Sequence, residues 1–170
     1  MRNLINASFF LLLLLPACSQ LAEEEKMQRA KQAHQAGDYD EALKYYQMLY
    51  NEHPKSPLRA EALNAEAAIQ QNHRRDYLSA IQLYQKLADE YPNDQNAPGA
   101  LFLVGFIYHN ELKMLDSAKA AYEAFIQKYP NSEMIPSAQF ELANLGKDPS
   151  EFIAQEKPKK AQAGTPARKR

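Results

Sequence analysis

Residues 76–94 read DYLSAIQLYQKLADEYPND, and this pattern occurs twice more, as DYDEALKYYQMLYNEHPKS at 38–56 and as MLDSAKAAYEAFIQKYPNS at 114–132. The three copies start 38 residues apart. They share an Ala, a Tyr four residues later, then Leu or Phe, and finally a Pro. The matching sets are Ala42, Ala80 and Ala118; Tyr46, Tyr84 and Tyr122; Leu49, Leu87 and Phe125; Pro54, Pro92 and Pro130. A fixed period of this length indicates an array of equivalent structural units.

Each copy predicts one amphipathic helix. The Ala, the Tyr and the Leu or Phe follow one another at i, i+4 and i+7, which places them on a single helix face. The small Ala allows a neighbouring helix to approach closely, and the Tyr ring fills the space one turn further along. Because the residue before a proline is pushed out of the α region, we predict that these helices end at His53, Tyr91 and Tyr129.

A second helix is predicted in each unit from another alanine set, Ala62, Ala100 and Ala138. In the first connector, Ser56 is the expected N-cap and Pro57 the expected first helical residue. Gly37 and Asp38 mark the turn after the first helix of the chain. The prediction is seven antiparallel helices with an eighth short one near 149–155, and no strand. The first and second-set helices are expected near 22–36, 57–72, 97–110 and 134–145.

These residues resemble the tetratricopeptide repeat (TPR) family. The resemblance is carried by the Gly-Asp-Tyr-x-x-Ala turn at 37–42, the Ala-x-x-x-Tyr stripe, the terminal Pro, and Gly105 with Tyr108. It implies an all-α, right-handed superhelical solenoid of about three helix-turn-helix repeats plus a closing helix. The repeats are expected near 22–54, 57–92 and 97–130, and the closing helix at 134–145.

The repeat is longer than the usual TPR length of about 34 residues. The extra residues fall in the connector after the proline. Long repeats of this kind are similar to those of bacterial envelope lipoproteins of the BamD type and of the Tol-Pal coordinator YbgF.

Residues 1–17 are predicted to be a lipoprotein signal peptide. Arg2 precedes an apolar run from Phe9 to Leu15, which is far shorter than the ~20 residues of a transmembrane helix. Leu15-Pro16-Ala17-Cys18 resembles the bacterial lipobox, which implies that Cys18 becomes the lipid-modified N-terminus. Ser19 after the Cys implies the outer membrane, with the protein facing the periplasm. The alternative is an ordinary signal peptide that leaves Cys18 as an incidental thiol.

Charge divides the rest of the chain into two parts. Residues 18–155 form the predicted repeat domain and hold 13 Lys or Arg against 20 Asp or Glu. Residues 156–170 hold six Lys or Arg and one Glu, with no aromatic residue, and are predicted to be a disordered basic tail. The tail is either a solubilising end or a tether for anionic headgroups or an acidic partner. The net charge of -1 for the whole chain argues against nucleic-acid binding.

The sequence predicts no enzyme, no cofactor and no metal site. It contains no Gly-rich phosphate loop, no Gly-x-Ser-x-Gly elbow and no His-Glu-x-x-His. His34 and His109 could share a face, but two histidines without a carboxylate make a poor metal site. The single Cys excludes an internal disulfide.

The TPR resemblance implies that the first helix of each unit lines a concave groove. Asn and Gln side chains there could bond the backbone of an extended peptide, while Phe rings offer apolar pockets. Alternatively, Phe102 or Phe106 packs between helices. Only Lys31 suits a carboxylate clamp, which disfavours an acidic C-terminal ligand. The candidate groove residues are Met27, Lys31, His34, Gln35, Asn64, Ala68, Gln71, Asn72, Phe102, Phe106, His109, Asn110, Phe140 and Asn144.

The predicted function is a lipid-anchored TPR scaffold of the cell envelope that mediates protein-protein interactions, as a subunit of an outer-membrane protein assembly factor. The expected partners are other envelope proteins or extended peptides, together with the membrane through the N-terminal lipid. The alternative is a periplasmic coordinator similar to YbgF that self-associates or contacts the cell wall. A small hydrolase is a third hypothesis. The oligomeric state does not follow from the sequence.

Overall fold

The computed structural model describes residues 14–147, with side chains from Ala22 onward. This part of the chain holds seven α-helices and no strand. They are α1 (Leu14–Gln35), α2 (Tyr39–Glu52), α3 (Arg59–Ile69), α4 (Tyr77–Glu90), α5 (Ala97–Phe106), α6 (Leu115–Lys128) and α7 (Ile135–Ala143). The predicted all-α solenoid is confirmed. Most of the predicted signal peptide, the short helix near 149–155 and the basic tail lie outside the described residues.

Each helix packs mainly on the helices before and after it in the chain, which is the contact pattern of a solenoid. The repeated stripe supplies the core. Tyr46 and Leu49 centre one buried cluster with residues of α1 and α3, and Tyr84, Tyr122 and Phe125 belong to a second, larger one. The stripe predicted from the 38-residue period is therefore the packing face.

The helix ends at the prolines are confirmed, but the predicted start of α3 is wrong. His53, Tyr91 and Tyr129 are the C-caps of α2, α4 and α6. Ser56 does not cap α3, which begins at Arg59 after Leu58. The buried Ser56 instead accepts a hydrogen bond on Oγ from the backbone N–H of Leu58 at 3.2 Å. This local turn leaves Pro57 outside the helix.

The first helices of the second and third units end in π-helical turns that the sequence did not predict. Gln70–Arg74 extends α3, and Ile107–Glu111 extends α5. A π turn takes up one extra residue within a helix. With these turns included, the two helical segments end at Arg74 and Glu111, beyond their predicted ends at 72 and 110.

The turns between the paired helices share one backbone conformation. Gly37, Arg75 and Lys113 lie 38 residues apart and have φ of 79°, 55° and 56°. Glycine adopts this left-handed conformation readily, whereas other side chains are strained in it. The next helix begins at once: Asp38 and Asp76 accept hydrogen bonds from the N–H groups of Glu41 and Ser79.

Candidate functional site

Two side-chain contacts join first helices of successive units. An ion pair between Lys31 Nζ and Glu61 Oε1 joins α1 to α3 at 2.6 Å. His109 Nδ1 and Glu141 Oε2, 3.1 Å apart, join the π turn after α5 to α7. We use the name groove face for the exposed residues of α1, α3, α5 and α7 and of the connectors that precede them.

An open pocket of about 480 Å³ lies on the groove face of the first unit. Its walls include three predicted residues, Met27, Lys31 and Gln35. Met27 is only 5% exposed, however, because it packs into the first core cluster. Lys31 is already paired with Glu61. The remaining wall residues are Glu24, Gln28, Gln32 and Leu58.

A second open pocket, of about 450 Å³, lies between α3, α5 and the connectors that precede α5 and α7. Asn64 is the one predicted groove residue in its wall. The others come from two connectors and the first turns of α5, and helical periodicity does not predict that connector residues face the groove. They are Gln95, Asn96, Pro98, Gly99, Ala100, Leu103, Ser132, Glu133 and Met134.

The predicted phenylalanines have three different environments. Phe102 packs between helices, with its ring centroid 5.4 Å from that of Tyr122 and 5.9 Å from that of Phe125. Phe106 is half-buried one turn further along α5. Phe140 on α7 is 58% exposed. Of the two alternatives for Phe102, the interhelical one is observed.

Several predicted amides already have hydrogen-bond partners. Asn110 Nδ2 donates to the carbonyl of Phe106 at 3.2 Å, and Asn144 Nδ2 donates to that of Phe140 at 2.8 Å. Gln71 Oε1 accepts a hydrogen bond from the Tyr84 hydroxyl at 3.0 Å. The more accessible amides are those of Gln35 and Asn72, which are exposed, and Asn64, which is half-buried beside the half-buried Ala68.

The two predicted histidines do not share a site. His34 packs edge-on against Tyr39 and His73, with ring centroids 5.8 and 6.0 Å away. His109 bonds Glu141 at the other end of the groove face. Within residues 14–147, no group of three or more His, Cys, Asp or Glu could hold a metal ion.

The most buried carboxylate in the described part of the chain lies between helices and not on the groove face. Glu66 on α3 is 7% exposed, and its Oε1 accepts a hydrogen bond from Gln47 Nε2 on α2 at 2.7 Å. Burial raises the pKa of Glu66, while the hydrogen bond from Gln47 and the charge of Lys86 oppose that rise. Its partners lie on α2 and α4, so Glu66 is an interior group between helix pairs.

Comparison with known proteins bears on location. Residues 20–151 match the family described as YfiO, outer membrane lipoprotein. No curated protein matches the sequence. No helix in the described part of the chain is long and apolar enough to cross a membrane.

Proposed function

Because the chain belongs to the YfiO family of outer membrane lipoproteins, we propose that it is a non-catalytic scaffold in outer-membrane protein assembly. In this proposal its groove face binds extended segments of other envelope proteins. The observation that carries the proposal is the pair of open pockets on one side of the array, each large enough for several side chains.

The chemistry of the two pockets suits an extended chain. The first is rich in amides, from Gln28, Gln32 and Gln35, which can both donate to and accept from a peptide backbone. The second adds apolar surface from Leu103 and Met134 beside the amide of Asn64. A segment with polar and apolar residues in succession would match both pockets.

We assign the lipid to Cys18. This residue lies near the start of α1, so the lipid would be at the end of the array where first helices begin. The connectors 53–58, 91–96 and 129–134 lie at the same end, because each of them leads into a first helix. Asn96 and Met134, both in the second pocket, are therefore on the membrane side. Leu58 of the first pocket lies in a connector at the same end, so a segment arriving along the bilayer surface would meet residues of both pockets.

The proposal is tested by photo-crosslinking in intact cells. A crosslinking amino acid replaces Gln35 or Asn64 on the groove face, or Gln85 or Glu123 on the exposed outer face of α4 and α6 as matched controls. We expect adducts with envelope proteins at the first two positions and few at the other two. Equal yields at all four positions, or adducts only at the controls, would contradict groove binding.

A variant pair asks whether the amides contribute to binding. Asn64→Ala with Asn72→Ala should weaken partner recovery, because each lost hydrogen bond typically costs ~0.5–1.5 kcal/mol of binding. Gln85→Ala with Glu123→Ala is the control and should not. If the recovered adducts are copies of the chain itself, the self-associating coordinator is the better function.

A further inference from the structure

Among residues 14–147, Gly99 is the one glycine that neither the backbone nor the packing requires. Gly37 and Gly146 have a positive φ, which favours glycine, and a Cβ at Gly105 would collide with the Tyr122 ring. Gly99 lies within α5 without a positive φ, and a Cβ there would meet no other part of the described chain within 4 Å. Glycine costs a helix about 1 kcal/mol relative to alanine. Its presence here therefore calls for a reason outside the fold.

The equivalent position in the second unit carries a side chain that bridges two first helices. Glu61, 38 residues before Gly99, reaches from α3 to Lys31 of α1 at 2.6 Å. Gly99 has no side chain with which to reach from α5 towards α3, and the second pocket opens there. Pro98, Gly99 and Ala100 give this pocket a wall of small residues beside the α5 backbone. Such a wall leaves room for the backbone of a ligand to approach closely.

The other walls of the second pocket offer three kinds of contact. The side-chain amides of Asn64 and Gln95 form no hydrogen bond with the residues that the structure describes, so they can bond a peptide backbone. Leu103 and Met134, both half-buried, add an apolar contact. Glu133 is the only charged residue in these walls; it is exposed and forms no ion pair with a described residue. A positively charged occupant would therefore be electrostatically complementary to the pocket.

We propose that Gly99 is the point of closest approach for the partner, and that the partner's segment is extended and carries Lys or Arg beside apolar residues. This inference rests on the proposed function of the groove face and specifies the chemistry of what binds there. The backbone of the segment lies against α5 at Gly99. An apolar side chain contacts Leu103 and Met134, and the basic side chain pairs with Glu133.

A binding test uses the full chain, purified from membranes in detergent, and a defined probe. The probe is a fluorescent peptide of about nine residues, some 30 Å long when extended, with blocked ends. Its sequence alternates Leu with Thr around a central Lys. Gly99→Leu should raise the dissociation constant at least about tenfold, because the new side chain occupies the space of the peptide backbone. Ser137→Leu places the same side chain at the equivalent exposed position of α7, outside the pocket, and should change affinity by less than about twofold.

Thermal unfolding of the same variants separates binding from folding. Gly99→Leu should keep or raise the midpoint, because leucine favours a helix more than glycine does. Unchanged affinity in Gly99→Leu would overturn the inference, and so would a wild type that does not bind the probe. The proposed function is judged separately, by the crosslinks at Gln35 and Asn64. If Gly99→Leu loses stability, a charge test that leaves α5 unaltered decides.

The charge test compares the probe with a twin that has Glu in place of the central Lys. The wild type should bind the Lys peptide about threefold more tightly at low salt, and added salt should reduce the difference. Glu133→Lys should reverse this preference. Glu123→Lys, at an exposed position on the outer face of α6, is the control and should retain it. Equal affinity of the wild type for both peptides, or a preference that Glu133→Lys leaves unchanged, would overturn the proposal.

Discussion

A β-carbon at Gly105 would lie 2.6 Å from Cδ1 of Tyr122, a separation that real Cβ atoms essentially never show. The absent side chain of Gly105 therefore sets how closely α5 approaches α6. The Tyr122 ring fills the space that results and is completely buried.

Gly105→Ala should destabilise the protein by about 1–3 kcal/mol, because a methyl group placed in a packed core forces the ring or the helix to move. Gly99→Ala is the matched control on the same helix. It meets nothing within 4 Å, so it should be neutral or stabilise the fold by up to ~1 kcal/mol through helix propensity. Urea unfolding of both variants measures the difference. Equal midpoints would mean that α5 and α6 are further apart than described.

Two equivalent tyrosines should respond differently to removal of the hydroxyl. The Tyr84 hydroxyl donates to Gln71 Oε1, whereas the buried Tyr122 hydroxyl has no hydrogen-bond partner among the described residues. Tyr84→Phe should cost ~0.5–1.5 kcal/mol, and Tyr122→Phe should be neutral or stabilising. The free energies of unfolding in urea test this order. A larger loss for Tyr122→Phe would reveal an unrecognised partner.

Glu66→Gln should change how stability depends on pH. Burial raises the pKa of Glu66 above its ordinary value of 4.5, so the protonated carboxyl is the better fit in the fold. Its contribution to stability is fully present below pH 4.5 and is lost as the pH rises through the raised pKa. Gln has the same shape without the charge. We therefore expect the variant to be more stable than the wild type at pH 7, on the order of 1 kcal/mol.

That advantage should shrink towards pH 4, which unfolding curves at the two pH values would measure. Glu133→Gln, at an exposed position in the connector before α7, is the control. A gap that stays constant between pH 7 and pH 4 would refute the assignment.

Glycine should be tolerated at the strained turns. Arg75→Gly and Lys113→Gly relieve the left-handed backbone, so each should be neutral or stabilise by up to ~1 kcal/mol. Lys119→Gly, in the exposed part of α6, should instead lose ~1 kcal/mol of helix propensity. Thermal unfolding of the three proteins distinguishes the two groups. Destabilisation at Arg75 equal to that at Lys119 would mean that its side chain stabilises the turn.

Cys18→Ala tests the anchor. The substitution removes the only thiol in the chain, so incorporation of a labelled fatty acid should be abolished and processing should fail. The measurements are fatty-acid labelling and membrane fractionation. Ser19→Ala leaves the thiol in place and should keep both signals. Labelling that persists in Cys18→Ala would remove the lipid from this position.

The fold was predictable because the residues that pack between helices recur at a fixed period. Ala42, Tyr46 and Leu49 recur at constant spacing, and their equivalents are buried wherever they occur. The π turns were not predictable in the same way. They insert one residue without altering the hydrophobic stripe, and the strained Arg75 and Lys113 give no compositional signal of a left-handed turn.

The candidate groove was less predictable than the fold. A helix position indicates which way a residue faces, but not whether a neighbour already occupies it. Lys31 pairs with Glu61, and Phe102 is covered by two rings of α6. Met27 is likewise occupied by neighbours, because it packs into the first core cluster. The connector residues around Asn96 were missed because their surroundings depend on how successive units are stacked.

The helix α1 runs without a break from Leu14, through Cys18, to Gln35. At about 1.5 Å of rise per residue, the three glutamates Glu23, Glu24 and Glu25 lie only some 10 Å from a lipid held at Cys18. Because α1 is continuous here, no flexible linker separates the lipid from the repeat domain. The domain would therefore keep a fixed height and orientation relative to the bilayer. Its search for partners then becomes two-dimensional, governed by lateral diffusion in the leaflet. A client protein would have to come to the bilayer surface to be captured.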